Sequence, residues 1–441
     1  MTVGTSSKER NPAPRIFVGL SEVAGYFSSV EVGLLSQGID AQFFNLSPNV
    51  LAYGQAHGSS PTRLLALRHA PRGSARNRLW LGALRINRFV RRIRAAILFP
   101  WAAYRFDGFI LGGHETFLGG PDLWILRRLG KRVVIVFTGS DHRPPYLSGA
   151  GIRQFGSSKS LARETRRLRY RVARAERYAT AVVALPASAQ LHRRPFVDFL
   201  AIGMPFVPPS GLGKESASDR VTTGAVHVLH SPTDPIAKGS ALIRTAVERC
   251  RERGTPIEYR ELVGQPNHEV LRALRWCDFV VDEVYSDTPM AKFATEAAYF
   301  GKAAIVGSYA TALYQDIDDA SLPPSFLCHP DAIEAAIMSL ASDAARRGEL
   351  GRQAQEFVSR QWAPAKVAGR LLQLMDGAAP AEWVVHPRDL TYVQGWGVSE
   401  ETLRSTVRRM IDEAGIDSLG LSPDSRLRSL TLEMAGVGGK R

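Results

Sequence analysis

Almost from end to end, the chain alternates between short unbroken runs of Val, Ile, Leu and Phe and longer segments with helical spacing. "RIFVGL", "FDGFILGG", "KRVVIVFTG" and "TAVVAL" in the first half, and "VHVLHS", "CDFVVDEV" and "AAIVG" in the second, lack a period-two alternation of apolar and polar residues. A strand with one wet face needs that alternation. A strand without it is buried on both faces, as in a parallel sheet covered by helices. Segments such as "SEVAGYFSSVEVGLLSQG" and "PDLWILRRLG" supply covering helices between the strands. The fold class is therefore α/β, built from strand–helix–strand units.

The pattern breaks once, at "GMPFVPPSGLGKESASDRVTTGA", which is rich in Pro, Gly and Ser and has no periodicity. It then restarts. This predicts two Rossmann-like, doubly wound domains facing a cleft, and 441 residues suit two such units. The boundaries read as a disordered tail over 1–14, an N-terminal domain over 15–205, a linker over 206–223, a C-terminal domain over 224–376 and an extension over 377–441. In the extension, "EWVVHPRDLTYVQGWG" reads as a further strand or two, and "SEETLRSTVRRMIDEAG" as a helix capped by Ser399. The final stretch, roughly 20 residues, reads as irregular.

Charge is unevenly spread. The net charge is +14, and between Ala41 and Phe106 there is no Asp or Glu but eleven Arg. Within that stretch the segment 79–99 reads as an amphipathic helix. Ile86, Phe89, Val90, Ile93 and Ile97 share one face; Arg85, Arg88, Arg91, Arg92 and Arg94 cover the other. The pattern suits either a surface helix packed on a core with a solvated basic face, or a helix lying on an anionic bilayer. No nucleic-acid motif accompanies the charge, so nucleic acid is not an expected partner. Cys250, Cys277 and Cys328 are widely spaced and form no metal pattern, which points to a reducing compartment. With no apolar leader and no spanning run, the expected location is cytoplasmic, with peripheral contact at the inner face of the plasma membrane as the variant.

Two turns carry candidate chemistry. In "HSPTDPIAKGS", Lys238 and Gly239 lie between a strand and a helix, where an ammonium and a close backbone approach suit a phosphate. The stretch is neither a Walker loop nor a dinucleotide fingerprint, and a solvated lysine fits it equally. In "DTPMAKFATEAAYFGKAAIVG", Thr288 reads as an N-cap and Pro289 as the first helical residue, leaving free N–H groups at Met290 and Ala291 to face an anion. Glu296 then lies ~10 Å further along the helix, a distance that fits the step from a diphosphate to a ribose. An ion pair with Lys292 at i−4 is the plainer use for it.

The block from Val226 to Gly307 resembles the donor domain of GT-B glycosyltransferases, most closely the family-4-like retaining enzymes (glycosyltransferase group 1). "HVLHSPTDPIAKGSALI", "IEYRELVG" and "PNHEVLRALRWCDFVVDE" carry it in the second half. "RQWAPAKVAGRLLQLM" resembles the helix that crosses back to the first domain. In the first half, "RRLGKRVVIVFTGSDHR" is a looser match.

The resemblance implies that Lys238 and Gly239, with Met290 and Ala291, hold a donor diphosphate, and that Glu296 binds a nucleotide ribose. It also sets Val263 and Gly264 near the base, and Gly25 near the donor phosphates or sugar. Three departures stand out. Thr288 occupies the position where many members carry a glutamate for the donor sugar, Ser231, Thr233 and Asp234 stand where many carry an arginine before the Lys-Gly loop, and Thr138 stands where a histidine is frequent. Asp141, His142 and His114 are the remaining candidates for catalytic groups.

The implied activity is transfer of a sugar from a nucleotide-diphosphate sugar to a glycan, lipid-linked or small-molecule acceptor. It is expected to be retaining, with no metal and no cofactor beyond the donor. The alternatives are a degenerate GT-B protein that binds a nucleotide sugar without turnover, and a nucleotide-sugar epimerase.

Overall fold

The computed structural model describes residues 14–46, 78–113, 115–209, 224–314 and 321–437, and for 78–88 the backbone alone. The first lobe runs β1 (Ile16–Leu20), α1 (Tyr26–Ser36), β2 (Ala41–Asn45), α2 (Arg78–Arg105), β3 (Gly108–Gly112), α3 (Pro121–Arg128) and β4 (Arg132–Val136). It continues with α4 (Gly149–Phe155), α5 (Ser158–Tyr178), β5 (Ala181–Ala184), β6 (Phe196–Asp198) and α6 (Phe199–Ile202). The second lobe holds β7 (Val226–His230), α7 (Ser240–Glu252), β8 (Ile257–Glu261), α8 (Asn267–Trp276), β9 (Phe279–Ser286) and α9 (Lys292–Tyr299). Then come β10 (Ala303–Ser308), β11 (Phe326–Cys328), α10 (Ile333–Ser342), α11 (Ala344–Arg360) and α12 (Pro364–Met375). The extension adds β12 (Val384–Val385), α13 (Glu400–Ala414) and α14 (Arg426–Met434).

The runs without alternation are the sheet interiors. β1, β3 and β10 are buried at every position. The first sheet has the order β12-β6-β5-β4-β3-β1-β2 and the second β11-β10-β9-β7-β8. All pairings are parallel except β12 on β6. Strand order reverses between β1 and β3 in one lobe and between β7 and β9 in the other. Crevices beyond the carboxyl ends of strands at such reversals are where doubly wound sheets bind ligands.

Phe17, Phe44, Phe106, Phe109 and Phe117 fill one side of the first sheet, with the Phe17 and Phe44 rings stacked at 4.8 Å. The other side is closed by α12, which crosses from the second lobe onto α1. The approach is close enough that a Cβ on Gly33 would collide with the Pro364 carbonyl. Gln37 Nε2 also donates to Ala365 O at 2.7 Å. The linker read over 206–223 lies mostly outside the described residues; at its start, Phe206 packs on Tyr299.

Four elements differ from the sequence reading. The final stretch is not wholly irregular: Ser425 accepts the Arg428 N–H and caps α14, which buries Leu427 and Thr431. β6 and β11 are too short, at three residues each, to stand out as apolar runs. In α2 the core-facing residues are Ala95, Phe99, Ala102 and Ala103, whereas Phe89, Ile93 and Ile97 are exposed by 64%, 44% and 73%. The large apolar stripe of this helix therefore faces outward, continued by Trp101 and Tyr104.

Candidate functional site

A cavity of about 690 Å³ opens between the carboxyl ends of the two sheets. The turn after β1 contributes Glu22, Val23 and Ala24, and the turn after β4 contributes Thr138, Gly139 and Arg143. From the second lobe come Ser231 to Asp234 and Lys238 after β7, Gly264 and Gln265 after β8, and Glu283, Asp287 and Thr288 at the end of β9. Ala291, Lys292 and Glu296 of the α9 region and Trp396 of the extension complete the wall.

The Lys238 turn is fixed from three sides. Asp234 Oδ1 accepts the Ile236 and Ala237 N–H groups, and Asp234 O accepts the Lys238 N–H. Lys238 O accepts the Val284 N–H at 3.1 Å, pinning the turn to β9. Gly239 caps α7 at φ 71°, and a Cβ there would stand 2.7 Å from Val284 Cγ2, so the position demands glycine. The Lys238 ammonium lies 2.9 Å from Asp282 Oδ1 and 3.3 Å from Glu283 Oε2. Burial alone would lower its pKa, but the two carboxylates outweigh burial and hold it above the ordinary lysine value. Burial pushes the Glu283 carboxyl up, reinforced by Asp282 and Asp287 and opposed by Lys238.

The helix after β9 starts later than the sequence suggests. Thr288 is not its N-cap. Ser286 Oγ takes the Thr288 N–H at 3.2 Å and donates to Thr288 O at 2.8 Å, and Tyr314 donates to Asp287 O at 2.7 Å. This turn occupies 287–290, so α9 begins at Lys292 with Ala291 as N-cap. The cap faces the cavity; Met290 is buried beside it. With the later start, Glu296 lies only about a turn and a half past the cap, where Asn267 Nδ2 donates to it at 2.9 Å and Lys292 Nζ stands 4.0 Å away. Burial raises the Glu296 pKa to about 7, against the opposing pull of Lys292 and Asn267. Burial lowers the Lys292 pKa, opposed by Glu296 and Glu22.

The other sequence-derived positions are dispersed. Gly264 lines the cavity, and its neighbour Val263 is 47% exposed. Gly25 sits beside cavity-lining Ala24, as the left-handed N-cap of α1. Asp141 accepts the Thr138 and Gly139 N–H groups and so shapes the loop after β4. His142 lies beneath that loop with no exposed surface; its ring nitrogens are 3.1 Å from His192 Nε2 and 3.1 Å from Ser188 Oγ. Burial, then His192 and Arg143, hold its pKa well below the usual value. His114 lies outside the described residues.

Sequence reasoning passed over Arg143, Asp282, Glu283, Asp287 and Trp396. Arg143 Nε donates to buried Asp287 Oδ2 at 2.9 Å, joining the lobes. Trp396 Nε1 donates to Glu283 Oε2 at 2.8 Å. The acids could have been flagged, since three carboxylates within "VVDEVYSD" interrupt an otherwise apolar strand end. Trp396, 158 residues beyond Lys238, gives no local signal. Among the described residues no group of three or more His, Cys, Asp or Glu could hold a metal ion.

No family model matches the chain, and no curated protein sequence matches it. Solved structures do. The catalytic domain of starch synthase IV from Arabidopsis thaliana, bound to ADP and acarbose, superposes with a TM-score of 0.50 at 10% identity, covering 83% of this chain and 99% of that one. HepE from Anabaena in complex with UDP-glucose aligns over 82% of this chain and 98% of its own, with a TM-score of 0.47 and 13% identity. Sucrose-phosphate synthase from Thermosynechococcus elongatus aligns over 83% and 100%, with a TM-score of 0.46 and 14% identity. Together with the two facing sheets and the crossover helix, the likeness to the starch synthase domain defines the fold as GT-B, the architecture of a large class of glycosyltransferases.

Proposed function

We propose that this chain transfers a glycosyl group from a nucleoside-diphosphate sugar to a hydroxyl acceptor, with retention of anomeric configuration and without a resident metal. The observation that carries the reading is the meeting of Lys238, the start of α9, which no side chain caps, and Glu296 on one cavity wall. Lys238 and the first N–H groups of α9 suit a diphosphate, and Glu296 suits a pair of ribose hydroxyls. The ADP in the starch synthase domain and the UDP-glucose in HepE are ligands of that class.

In this reading the anomeric C–O bond breaks heterolytically, and its electron pair goes to the diphosphate oxygen. Lys238 and the α9 terminus stabilise that charge. The acceptor oxygen bonds to the same face of the anomeric carbon, and its proton passes to the departing diphosphate. The acceptor enters from the first lobe, where Glu22, Thr138 and Arg143 line the wall.

A lipid-linked acceptor fits the outward stripe of α2. Phe89, Ile93, Ile97 and Trp101 repeat every four residues along one face, and the same helix carries Arg91, Arg92 and Arg94. An anionic bilayer matches both features, with the apolar side chains in the headgroup boundary and Arg92 on phosphate, while Arg91 pairs with buried Glu115. Among the described residues no helix is long and apolar enough to cross a membrane.

Two observations favour a second reading, nucleotide-sugar binding without turnover. Lys238 is already engaged by two carboxylates, and Thr288 stands where a sugar-binding glutamate is expected. Thermal shift against UDP, GDP, ADP and TDP, followed by product analysis with each matching sugar donor, separates the readings. A stabilising nucleotide whose sugar is released or transferred supports catalysis. Stabilisation without any product supports the second reading, and no stabilisation by any nucleotide removes both.

A further inference from the structure

The extension re-enters the molecule between the lobes. Trp396 N–H donates to Leu147 O at 2.8 Å and Gly149 N–H donates to Trp396 O at 2.9 Å, both in the first lobe. One residue later, Gly397 N–H donates to Tyr285 O on β9 at 2.9 Å. The fit is close on both sides. A Cβ on Gly149 would collide with the Gly397 carbonyl, and a Cβ on Gly397 would stand 3.0 Å from Ala237 Cβ, next to Lys238. The Trp396 ring lies under the Arg143 guanidinium, 5.3 Å from centroid to Cζ.

We propose that Trp396 is a positioning residue of the donor site, whose indole N–H occupies Glu283 and so leaves the Lys238 ammonium available to a diphosphate. The inference rests on the donor-site reading above. Lys238 is shared between Asp282 at 2.9 Å and Glu283 at 3.3 Å, so an arriving diphosphate must compete with two carboxylates for one cation. Trp396 Nε1–H donates to Oε2, the oxygen nearer the lysine, and Ser286 Oγ lies 2.9 Å from Oε1, its single proton shared between that oxygen and Thr288 O. Each neutral donor on that carboxylate spreads its charge and loosens its hold on the ammonium. The cavity needs this relief. Its charged lining comprises five acids and three bases, a poor match for an anion unless the bases are free to turn toward it. The extension thus delivers a hydrogen-bond donor to Glu283, the cavity-lining member of the two carboxylates that compete with substrate for Lys238.

Isothermal titration of the full chain with the nucleoside diphosphate selected by thermal shift tests this. Trp396→Phe keeps the ring on Arg143 and removes the N–H. It should weaken binding about tenfold, the scale of one charge-assisted hydrogen bond. Glu283→Gln removes the competing charge, so the double variant Trp396→Phe/Glu283→Gln should bind like Glu283→Gln alone. Gly149→Val, which pushes the extension off the first lobe with the indole intact, should give a loss that Glu283→Gln also suppresses. Wild-type affinity in Trp396→Phe overturns the inference, as does a loss that persists unchanged when Glu283 is Gln. If the wild type binds no nucleoside diphosphate, the donor-site reading fails and takes this inference with it. Failure of the inference alone leaves wild-type binding intact.

Discussion

Arg143 and Asp287 form a buried ion pair across the cleft, with side chains only 8% and 4% exposed. One belongs to the loop after β4 and the other to the end of β9, so the pair sets how the lobes meet. A paired buried charge is a weak source of net stability, but removing one partner leaves the other uncompensated. Arg143→Met should therefore cost ~3–5 kcal/mol in urea unfolding. Arg143→Met/Asp287→Leu should recover most of it. A loss below about 1 kcal/mol for the single variant, within the range of exposed pairs, means that water reaches Asp287 in solution.

Lys238→Met should weaken nucleoside-diphosphate binding by ~1.5–3 kcal/mol, the loss of a charge-assisted contact. Titration calorimetry reads it directly. Because Asp282 and Glu283 lose their shared cation as well, the same variant should also unfold at lower urea concentration. Unchanged nucleotide affinity removes Lys238 from the site.

Glu296 predicts a pH signature. Burial lifts its pKa from an ordinary 4.5 to about 7, so between those values the unfolded chain releases a proton that the folded chain keeps. The unfolded state then binds fewer protons, and stability falls as pH rises through that window. The contribution is whole below about 4.5 and gone above about 7. Glu296→Gln should flatten this part of the stability–pH curve. A curve identical to wild type over pH 4.5 to 7 assigns the slope to other groups.

The stripe on α2 predicts composition-dependent membrane binding. The wild type should co-sediment with vesicles containing anionic lipid, and release should follow added salt. Phe89→Asp/Ile97→Asp should abolish sedimentation without changing unfolding, because both side chains already face outward. Equal sedimentation of the variant shows that the helix is not the contact.

Gly33 marks the seam between α1 and α12. Gly33→Ala puts a methyl group against the Pro364 carbonyl, a backbone atom that cannot rotate away. The overpacking should cost ~1–3 kcal/mol, read as a lower unfolding midpoint.

Much of the fold is legible in the sequence because fully buried strands have one signature. Runs such as "KRVVIVFTG" and "AAIVG" carry no wet face, and only a covered parallel sheet accepts them. β6 and β11 escape notice because three residues make no pattern, whereas β12 lies inside "EWVVHPRDLTYVQGWG", which reads as a strand or two. The site was half legible. Lys238, Gly239 and Glu296 lie at strand-to-helix turns and within one helix, where local spacing speaks. The turn at 287–290 was misread because Thr-Pro is a common helix start, while Ser286, one residue before Asp287, already holds the Thr288 N–H. Arg143 and Trp396 reach the cavity only through tertiary contact, which no local spacing encodes. The outward stripe on α2 looks in sequence like any core-facing stripe; only the burial of Phe99 and Ala102 instead reveals which side is covered.

Two late pieces of the chain complete the early lobe: α12 closes one side of its sheet, and β12 adds the last strand at its edge. Both leave the ribosome after the whole second lobe. During synthesis the amino-terminal sheet must therefore wait, with α1 uncovered along Gly33 and Leu34, until translation is nearly over. A nascent chain halted before residue 364 would present that bare seam to chaperones, and its first lobe would yield to protease faster than the same lobe in the released protein.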